Sequence, residues 1–240
     1  MDKSLTSLEP LVGDQIWVCE RPVKFLGSWL RSRSLVVKLA SGGLWVHSPP
    51  APTDELRAAL DDLGPVEWLV VPNRFHHLEM PRFAEAYPDA TVIGPASVVE
   101  RNAALRLDAD IADPMVAERV PEIQAMPLTG MPFLDETLFF HRPTGTLIGA
   151  DVALCATHQD HWTWRIPARL MGVYGRIKVS PDVRFRKRDR DALARSLEAI
   201  LALPIEQLAL AHTDLIRERP AEQLAAAWRF ALKATAKTRS

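Results

Sequence analysis

Residues 66–80 read VEWLVVPNRFHHLEM, and this stretch carries the strongest indication of how the chain folds. Residues 66–71 form an almost entirely apolar run, which is typical of a strand covered on both faces. His76 and His77 follow the end of that run by a few residues. Because loops at the carboxyl ends of strands in α/β sheets converge on ligand sites, we expect these two imidazoles to border a functional site.

Two other polar groups occupy the same kind of position. Asp151 directly follows a predicted strand at residues 146–150, and His212 directly follows one at residues 207–211. Imidazole nitrogens and a carboxylate that come from three strand ends suit a divalent metal ion. The alternative is a structural network, because buried polar side chains commonly find hydrogen-bond partners within the protein.

The order of the predicted elements is that of an α/β protein. Strands are predicted at residues 15–20, 34–40, 43–47, 66–71, 90–93, 137–141, 146–150 and 207–211. Helices are predicted at residues 54–63, 81–87, 95–105, 189–203 and from Pro220 onward, while residues 106–122 are predicted to be irregular. Alternating strands and helices, with hairpins at the start and in the middle, predict a mixed sheet or two sheets faced by helices.

Composition and charge exclude several classes of protein. The 240 residues are 48% hydrophobic, which rules out disorder as the main state. A formal net charge of -1 gives no global field for nucleic acid or membrane surfaces, and no run approaches the roughly 18 apolar residues of a membrane span. We therefore expect one domain over residues 1–240, with no membrane association and no nucleic-acid partner.

The cysteines and the amino terminus favour the cytoplasm. Cys19 and Cys155 each lie in an apolar run, as buried thiols in a reducing compartment do. Residues 1–10 contain no apolar segment of the kind that a signal peptide carries.

Three segments together resemble a known superfamily. VEWLVVPNRFHHLEM, MPLTGMPFLDETLFFHRPTGTLIGADV (residues 126–152) and QLALAHTDL (residues 207–215) resemble, in order, the metal-carrying loops of the metallo-β-lactamase-like superfamily. The chain is most similar to an uncharacterised bacterial branch with a hairpin ending LWVHSP, then PN-x-FHH, then a strand ending FFHRP. The resemblance implies an α/β fold built as a four-layer αββα sandwich.

The departures from the superfamily pattern are as informative as the match. The superfamily's His-x-His-x-Asp-His motif is replaced by PNRFHH, and Met131 stands where a further histidine is expected. Asp151 and His212 are kept. The resemblance therefore implies at most one divalent ion, held by His76 or His77 with Asp151 and His212. Zinc is the expected metal and iron the alternative.

Other residues are candidates for the chemistry around that ion. Glu136 and His141 precede Asp151 on a predicted strand, and their spacing of five places them on opposite faces. Glu136 is predicted either to orient a ligand or to act as a general base, with a solvated strand residue as the alternative. His47 or Ser48 is the candidate for orienting a metal-ligating side chain through a contact with it.

Residues 152–190 are predicted to be an insertion, and long loops of this kind are usually functional or mobile. Trp162 and Trp164 are candidates for the wall of an apolar substrate pocket, and Arg74 is a candidate for substrate binding at the vacated metal position. The alternative for the many basic residues of the insertion is a solvated face, or one paired with the acids at Asp108, Asp110 and Asp113.

These observations predict a mononuclear metal-dependent hydrolase of a small ester-, lactone- or amide-like substrate. No Gly-x-Ser-x-Gly motif is present, so a metal-activated water is the expected nucleophile. Two alternatives stay open: a catalytically degenerate binding module, and an iron-dependent oxidoreductase on the same fold. The substrate is expected to be a small molecule, and the sequence leaves the oligomeric state open.

Overall fold

The computed structural model describes residues 7–232 of the chain. By their internal contacts these residues divide into two compact units, residues 7–22 with 31–123 and residues 23–30 with 124–232. Each unit has its own sheet and helices. The single domain predicted over residues 1–240 stays a prediction, and residues 1–6 and 233–240 lie outside the described part.

The first unit is built on a seven-stranded mixed sheet. Its strands are β1 (Leu8–Val12), β2 (Ile16–Phe25), β3 (Ser28–Lys38), β4 (Leu44–His47), β5 (Val66–Val70), β6 (Thr91–Gly94) and β7 (Ala109–Asp110). The strands lie side by side in chain order, and residues 23–30 at the tips of β2 and β3 are assigned to the second unit. From β4 to β7 the pairing is parallel, so the ends of β4 and β5 point the same way.

Helix α1 (Asp54–Leu63) forms as the sequence predicts. The Thr53 side chain accepts a hydrogen bond from the Leu56 backbone N–H at 3.3 Å and so caps the first turn. Leu56 and Leu60 are buried in the core of the first unit, on the inner face of the helix. The helix stops at Gly64, whose φ of 154° and contact with the Gly42 carbonyl leave no room for a Cβ. The first unit also contains α2 (Met80–Ala86) and α3 (Pro114–Arg119).

The helix predicted at residues 95–105 is wrong. Only a short 3-10 turn, Ala96–Val98, forms there. The Asn102 side chain accepts a hydrogen bond from the Ala104 backbone N–H at 3.2 Å, which competes with a continued helix. Conversely, the stretch predicted to be irregular contains β7 and α3, and Asp113 caps α3 by accepting from the Met115 N–H at 2.9 Å.

The second unit is built on a four-stranded mixed sheet. Its strands are β8 (Ile123–Pro127), β9 (Thr137–His141), β10 (Thr146–Gly149) and β11 (Gln207–Leu210), in the spatial order β11-β10-β9-β8. Strands β9 and β10 form the predicted antiparallel hairpin, whereas β10 and β11 pair in parallel with Gly149 opposite Leu210. This register brings the residues that follow β10 and β11 to the same edge of the sheet.

The helices of the second unit are α4 (Trp162–Leu170), α5 (Pro181–Arg184), α6 (Arg190–Leu201) and α7 (Pro220–Ala227). Helices α6 and α7 begin within one residue of the predicted positions, and Asp189 caps α6 by accepting from the Asp191 and Ala192 N–H groups. The Trp228 indole, just after α7, donates a 2.9 Å hydrogen bond to the Val152 carbonyl, which fastens the segment after β10. Among the described residues, no helix is long and apolar enough to cross a membrane.

Candidate metal centre

Asp151 and His212 meet at the ends of the two parallel strands of the second unit. Asp151 follows β10 by two residues and His212 follows β11 by two residues, so the strand register carries both to one edge. The His212 Nε2 atom lies 3.3 Å from Asp151 Oδ1. Both side chains are largely buried, with 13% and 18% of their surfaces exposed, yet each still reaches solvent.

Glu136 holds the loop that carries Asp151. Its Oε1 atom accepts a 2.7 Å hydrogen bond from the Ala150 N–H, and its Oε2 atom accepts a 3.0 Å bond from the Asp151 N–H. Hydrogen bonds to an ionised acceptor are about twice as strong as neutral ones. Glu136 is only 2% exposed, which excludes a solvated strand residue. The two hydrogen bonds position the backbone of Asp151, and the predicted roles of Glu136 in orienting a ligand or acting as a general base stay predictions.

Gly149 makes room for this arrangement. A Cβ atom at Gly149 would lie 3.3 Å from Glu136 Oε1 and 3.1 Å from a methyl carbon of Leu210. Both separations are tighter than ordinary van der Waals contacts. The glycine at the end of β10 therefore lets the Glu136 carboxylate approach the backbone that it orients.

His141 lies at the other end of the same hairpin. It pairs across the sheet with Thr146, the first residue of β10, whereas Asp151 follows the last one. Its Nδ1 atom is 2.8 Å from Thr144 Oγ1, which is in turn 2.7 Å from Thr146 Oγ1. These contacts stabilise the hairpin turn, and the predicted catalytic role of His141 stays a prediction.

In the first unit, His76 sits in a tight turn just past β5. The buried Asn73 side chain accepts hydrogen bonds from the Phe75 N–H at 2.8 Å and from the His76 N–H at 3.0 Å. Asparagine commonly forms such turns by bonding to the backbone two residues ahead. The sequence predicts that Asn73 borders the vacated metal position, but it assigns Asn73 no role in shaping this turn, although a Pro-Asn pair at a strand end is a recognisable turn signal.

Ser48 supports the His76 ring. Its Oγ atom lies 2.6 Å from His76 Nδ1, and its backbone N–H donates to the Val70 carbonyl at 2.9 Å. Ser48 has a φ of 54°, the left-handed region that side chains other than glycine rarely adopt. Of the two candidates for supporting a ligand, it is therefore Ser48 that contacts His76, while the buried His47 stacks on Trp45 with ring centroids 5.6 Å apart.

The remaining predicted residues of the first unit have local partners. His77 Nδ1 lies 3.4 Å from the Asn102 side-chain nitrogen, and burial lowers the pKa of His77, with smaller contributions from Arg101 and His76. The Arg74 guanidinium is 3.4 Å from the Glu100 carboxylate. The predicted roles of His77 as a ligand and of Arg74 in substrate binding stay predictions.

Two tryptophans proposed for a substrate pocket differ in burial. Trp162, the first residue of α4, has 58% of its surface exposed. Trp164 is 8% exposed and packs in an apolar cluster of the second unit with Ala168 and Val173. Their predicted roles in binding stay predictions, although only Trp162 presents a large apolar surface to solvent.

The spacing of Asp151 and His212 fits two ligands of one ion. Two atoms that each lie about 2.0–2.1 Å from a tetrahedral zinc ion are themselves about 3.3–3.4 Å apart. The observed 3.3 Å matches that separation. Glu136 supplies the kind of support that ligating side chains usually receive from their neighbours. Donor type, spacing and support in the second unit therefore fit a divalent metal ion.

Comparison with known sequences gives limited guidance. Residues 13–97 match the family described as a domain of unknown function, DUF4336. No curated protein matches the chain. The matched region contains Ser48, Asn73 and His76 but covers only part of the first unit.

Comparison with solved structures is more informative about the fold. A metallo-β-lactamase from Erythrobacter litoralis, with β-mercaptoethanol in its active site, is 13% identical, with a TM-score of 0.68. That match covers 96% of this chain and 99% of the other. A metallo-β-lactamase from Pontibacter korlensis is 10% identical, with a TM-score of 0.63 over 93% of this chain and 99% of the other. The chain therefore has the α/β metallo-β-lactamase-like fold that the sequence resemblance implied, whereas identity this low says nothing about activity.

Proposed function

We propose that this protein is a metal-dependent hydrolase that uses one divalent ion to cleave a small ester, lactone or amide. The proposed ligands are His76, Asp151 and His212, which offer two imidazole nitrogens and one carboxylate oxygen. The observation that carries the proposal is the 3.3 Å separation of Asp151 Oδ1 and His212 Nε2. Glu136 positions Asp151 by accepting a hydrogen bond from its backbone N–H. Zinc is the proposed metal, because this mixture of nitrogen and oxygen donors suits it.

Each residue of the chain has a defined task in this proposal. Asp151 and His212 bind the ion, and Glu136 fixes the backbone that positions Asp151. His76 contributes Nε2, because its Nδ1 is engaged by Ser48. An ion bound by this set supplies Lewis acidity, which polarises a carbonyl and lowers the pKa of a water molecule.

The proposal specifies one ion rather than two. Pro72 and Arg74 occupy motif positions where the superfamily pattern has histidines, and Met131 stands in place of another. Two-metal sites stabilise both the attacking and the leaving oxygen of a displacement, and one ion does not. We therefore propose carbonyl substrates rather than phosphodiesters. Arg74 is proposed to contribute positive charge for substrate binding.

A side-chain nucleophile is not part of this mechanism. Burial raises the pKa of the Cys19 thiol to about 11, so the reactive thiolate is scarce at neutral pH. Cys155 is also buried, and its thiol contacts the Ala156 carbonyl. Two buried thiols that form no disulfide also suit a reducing compartment, which supports a proposed cytoplasmic location.

One observation also favours a second candidate, a non-catalytic binding protein. A separation of 3.3 Å suits a direct ion pair between Asp151 and a protonated His212 as well as it suits two ligands. In that case the same residues would form a structural network with no metal. Metal content separates the two candidates directly.

The test is elemental analysis of protein purified without a chelator and without a histidine tag. We expect about one equivalent of zinc per chain, and loss of that metal in Asp151→Asn and His212→Ala variants. Asp182→Asn, which removes an exposed acid of the second unit, is the matched control and keeps its metal. Iron in place of zinc would redirect the proposal to an oxidoreductase. Absence of any metal would support the binding protein.

A further inference from the structure

The second unit contains an open cleft of about 490 Å³ that takes no part in the proposed chemistry. Residues 176–178, the end of α5 and the end of α7 with the turn after it form its walls. We call it the basic cleft and define it by Arg176, Lys178, Arg184, Arg229 and Phe230. None of the proposed metal ligands lines it, so inferences about this cleft are independent of the proposed function.

The basic cleft concentrates positive charge. Arg176, Lys178, Arg184 and Arg229 line it, and no described lining residue is acidic. Among the described residues, no carboxylate forms an ion pair with any of these four side chains. Like charges gathered in one concave surface repel one another and raise the local concentration of anions.

Arginines elsewhere in the chain show the contrast. Arg33 lies 2.8 Å from Glu20, and Arg106 lies 3.1 Å from Asp108. Asp110 and Asp113, the other acids considered as partners for the insertion, accept from backbone N–H groups of the first unit. The cations of the basic cleft thus differ from arginines such as Arg33 and Arg106, which lie against a carboxylate.

Aromatic contacts order Arg184, one of the four cations of the basic cleft, and its neighbour Arg188. The Phe230 ring has Arg184 at 5.1 Å and Arg188 at 5.0 Å from its centroid. Arg188 also donates hydrogen bonds to the backbone carbonyls of Arg184 and Arg186. Burial lowers the pKa of Arg188, and the neighbouring Arg190 and Arg184 lower it further. Groups fixed in this way lose less conformational freedom when they bind a ligand.

We propose that the basic cleft binds a small molecule that carries two or more linked phosphate groups. The planar guanidinium matches phosphate oxygens with paired hydrogen bonds, and Lys178 adds a point charge. Four cations in one cleft exceed what a single monoanionic group neutralises. A volume of about 490 Å³ lies within the usual range for small-molecule sites, which leaves space for a diphosphate and an attached group.

The test is isothermal titration calorimetry with inorganic pyrophosphate as the probe, on the full chain. We expect saturable binding that is stronger than binding of inorganic phosphate. Arg184→Ala and Arg229→Ala should each weaken pyrophosphate binding by at least about tenfold. Arg184→Lys should retain part of the affinity, because lysine keeps the positive charge but lacks the paired N–H donors of the guanidinium group. Arg195→Ala, which removes an exposed guanidinium of α6, is the matched control and should bind as the unaltered protein does.

Three results would overturn the proposal. The first is the absence of pyrophosphate binding to a protein whose circular dichroism shows it folded. The second is binding that survives both alanine substitutions but is lost in Asp151→Asn, which would locate the probe at the candidate metal centre. The third is much tighter binding of a short single-stranded RNA through the same arginines, which would assign the cleft to nucleic acid.

Discussion

The strand ends that carry the proposed ligands are built differently in the two units. After β10, the buried Glu136 carboxylate accepts hydrogen bonds from the backbone N–H groups of Ala150 and Asp151. After β5, neutral groups do the equivalent work, because the Asn73 amide fixes the turn and the Ser48 hydroxyl meets His76. The second unit therefore contributes a carboxylate to the proposed site, whereas the first contributes an imidazole and the groups that orient it.

This difference ranks the expected effects of substitution. Removing a group that bears charge at a metal site removes attraction for the ion, whereas removing an orienting hydroxyl leaves the ligand present but less well held. Changes near Asp151 should therefore cost more metal affinity than changes around His76.

The largest effect is expected for Asp151→Asn and His212→Ala. Each variant removes a donor from a set of three, so metal binding and turnover should both fall by at least about a hundredfold. Elemental analysis and hydrolysis of an ester panel measure the two quantities. Unchanged turnover in Asp151→Asn, or in protein held in chelator, would show that the reaction does not use this site.

Glu136→Gln tests the support behind Asp151. The amide keeps one acceptor for the Ala150 or Asp151 N–H but loses the charge and the second acceptor. We expect metal affinity to fall about 10- to 100-fold and the free energy of unfolding to fall by about 1–3 kcal/mol. Metal titration and urea denaturation separate the two effects. Lower stability with full metal affinity would make Glu136 a purely structural residue.

Ser48 allows a sharper test of the first unit, because two variants separate its hydroxyl from its backbone. Ser48→Ala and Ser48→Gly both remove the 2.6 Å contact with His76 Nδ1, so both should lower metal affinity by about tenfold. Only glycine relieves the φ of 54°, so Ser48→Gly should be more stable than Ser48→Ala by about 1 kcal/mol. Equal stability of the two variants, or unchanged metal affinity, would contradict this account.

The sequence predicts the strand ends well, because the signals there are local. Apolar runs such as residues 66–71 and 207–211 became β5 and β11, and the fold class followed from their order. The prediction of a helix at residues 95–105 was wrong because the Asn102 side chain hydrogen-bonds to the Ala104 backbone N–H. The helical spacing of apolar residues in the sequence does not reveal such a contact.

The support of the candidate site was only partly predictable. The sequence indicates that Glu136 could orient a ligand, but its contact with two N–H groups depends on the β9–β10 register and on the missing Cβ of Gly149. The basic cleft was not predictable as a cavity, since residues from 176 to 230 form it only after α5 and α7 have packed. Sequence shows residue type and spacing, whereas these features depend on three-dimensional proximity.

The smallest effect is expected at the cysteines, which test whether any of the chemistry lies outside the strand ends. Burial raises the pKa of Cys19 to about 11, above its ordinary 9.0, so folding favours the neutral thiol. That contribution to stability is fully present below about pH 9 and is lost as the pH rises toward 11.

At pH 8 a thiol reagent should therefore label the native protein slowly and label both cysteines rapidly once urea has unfolded it. Cys155→Ala should keep nearly full turnover, because its thiol is buried and contacts the Ala156 backbone carbonyl. Rapid labelling of the native protein, together with loss of turnover in Cys155→Ala, would instead identify a thiol nucleophile and remove the reason for assigning the reaction to Asp151 and His212.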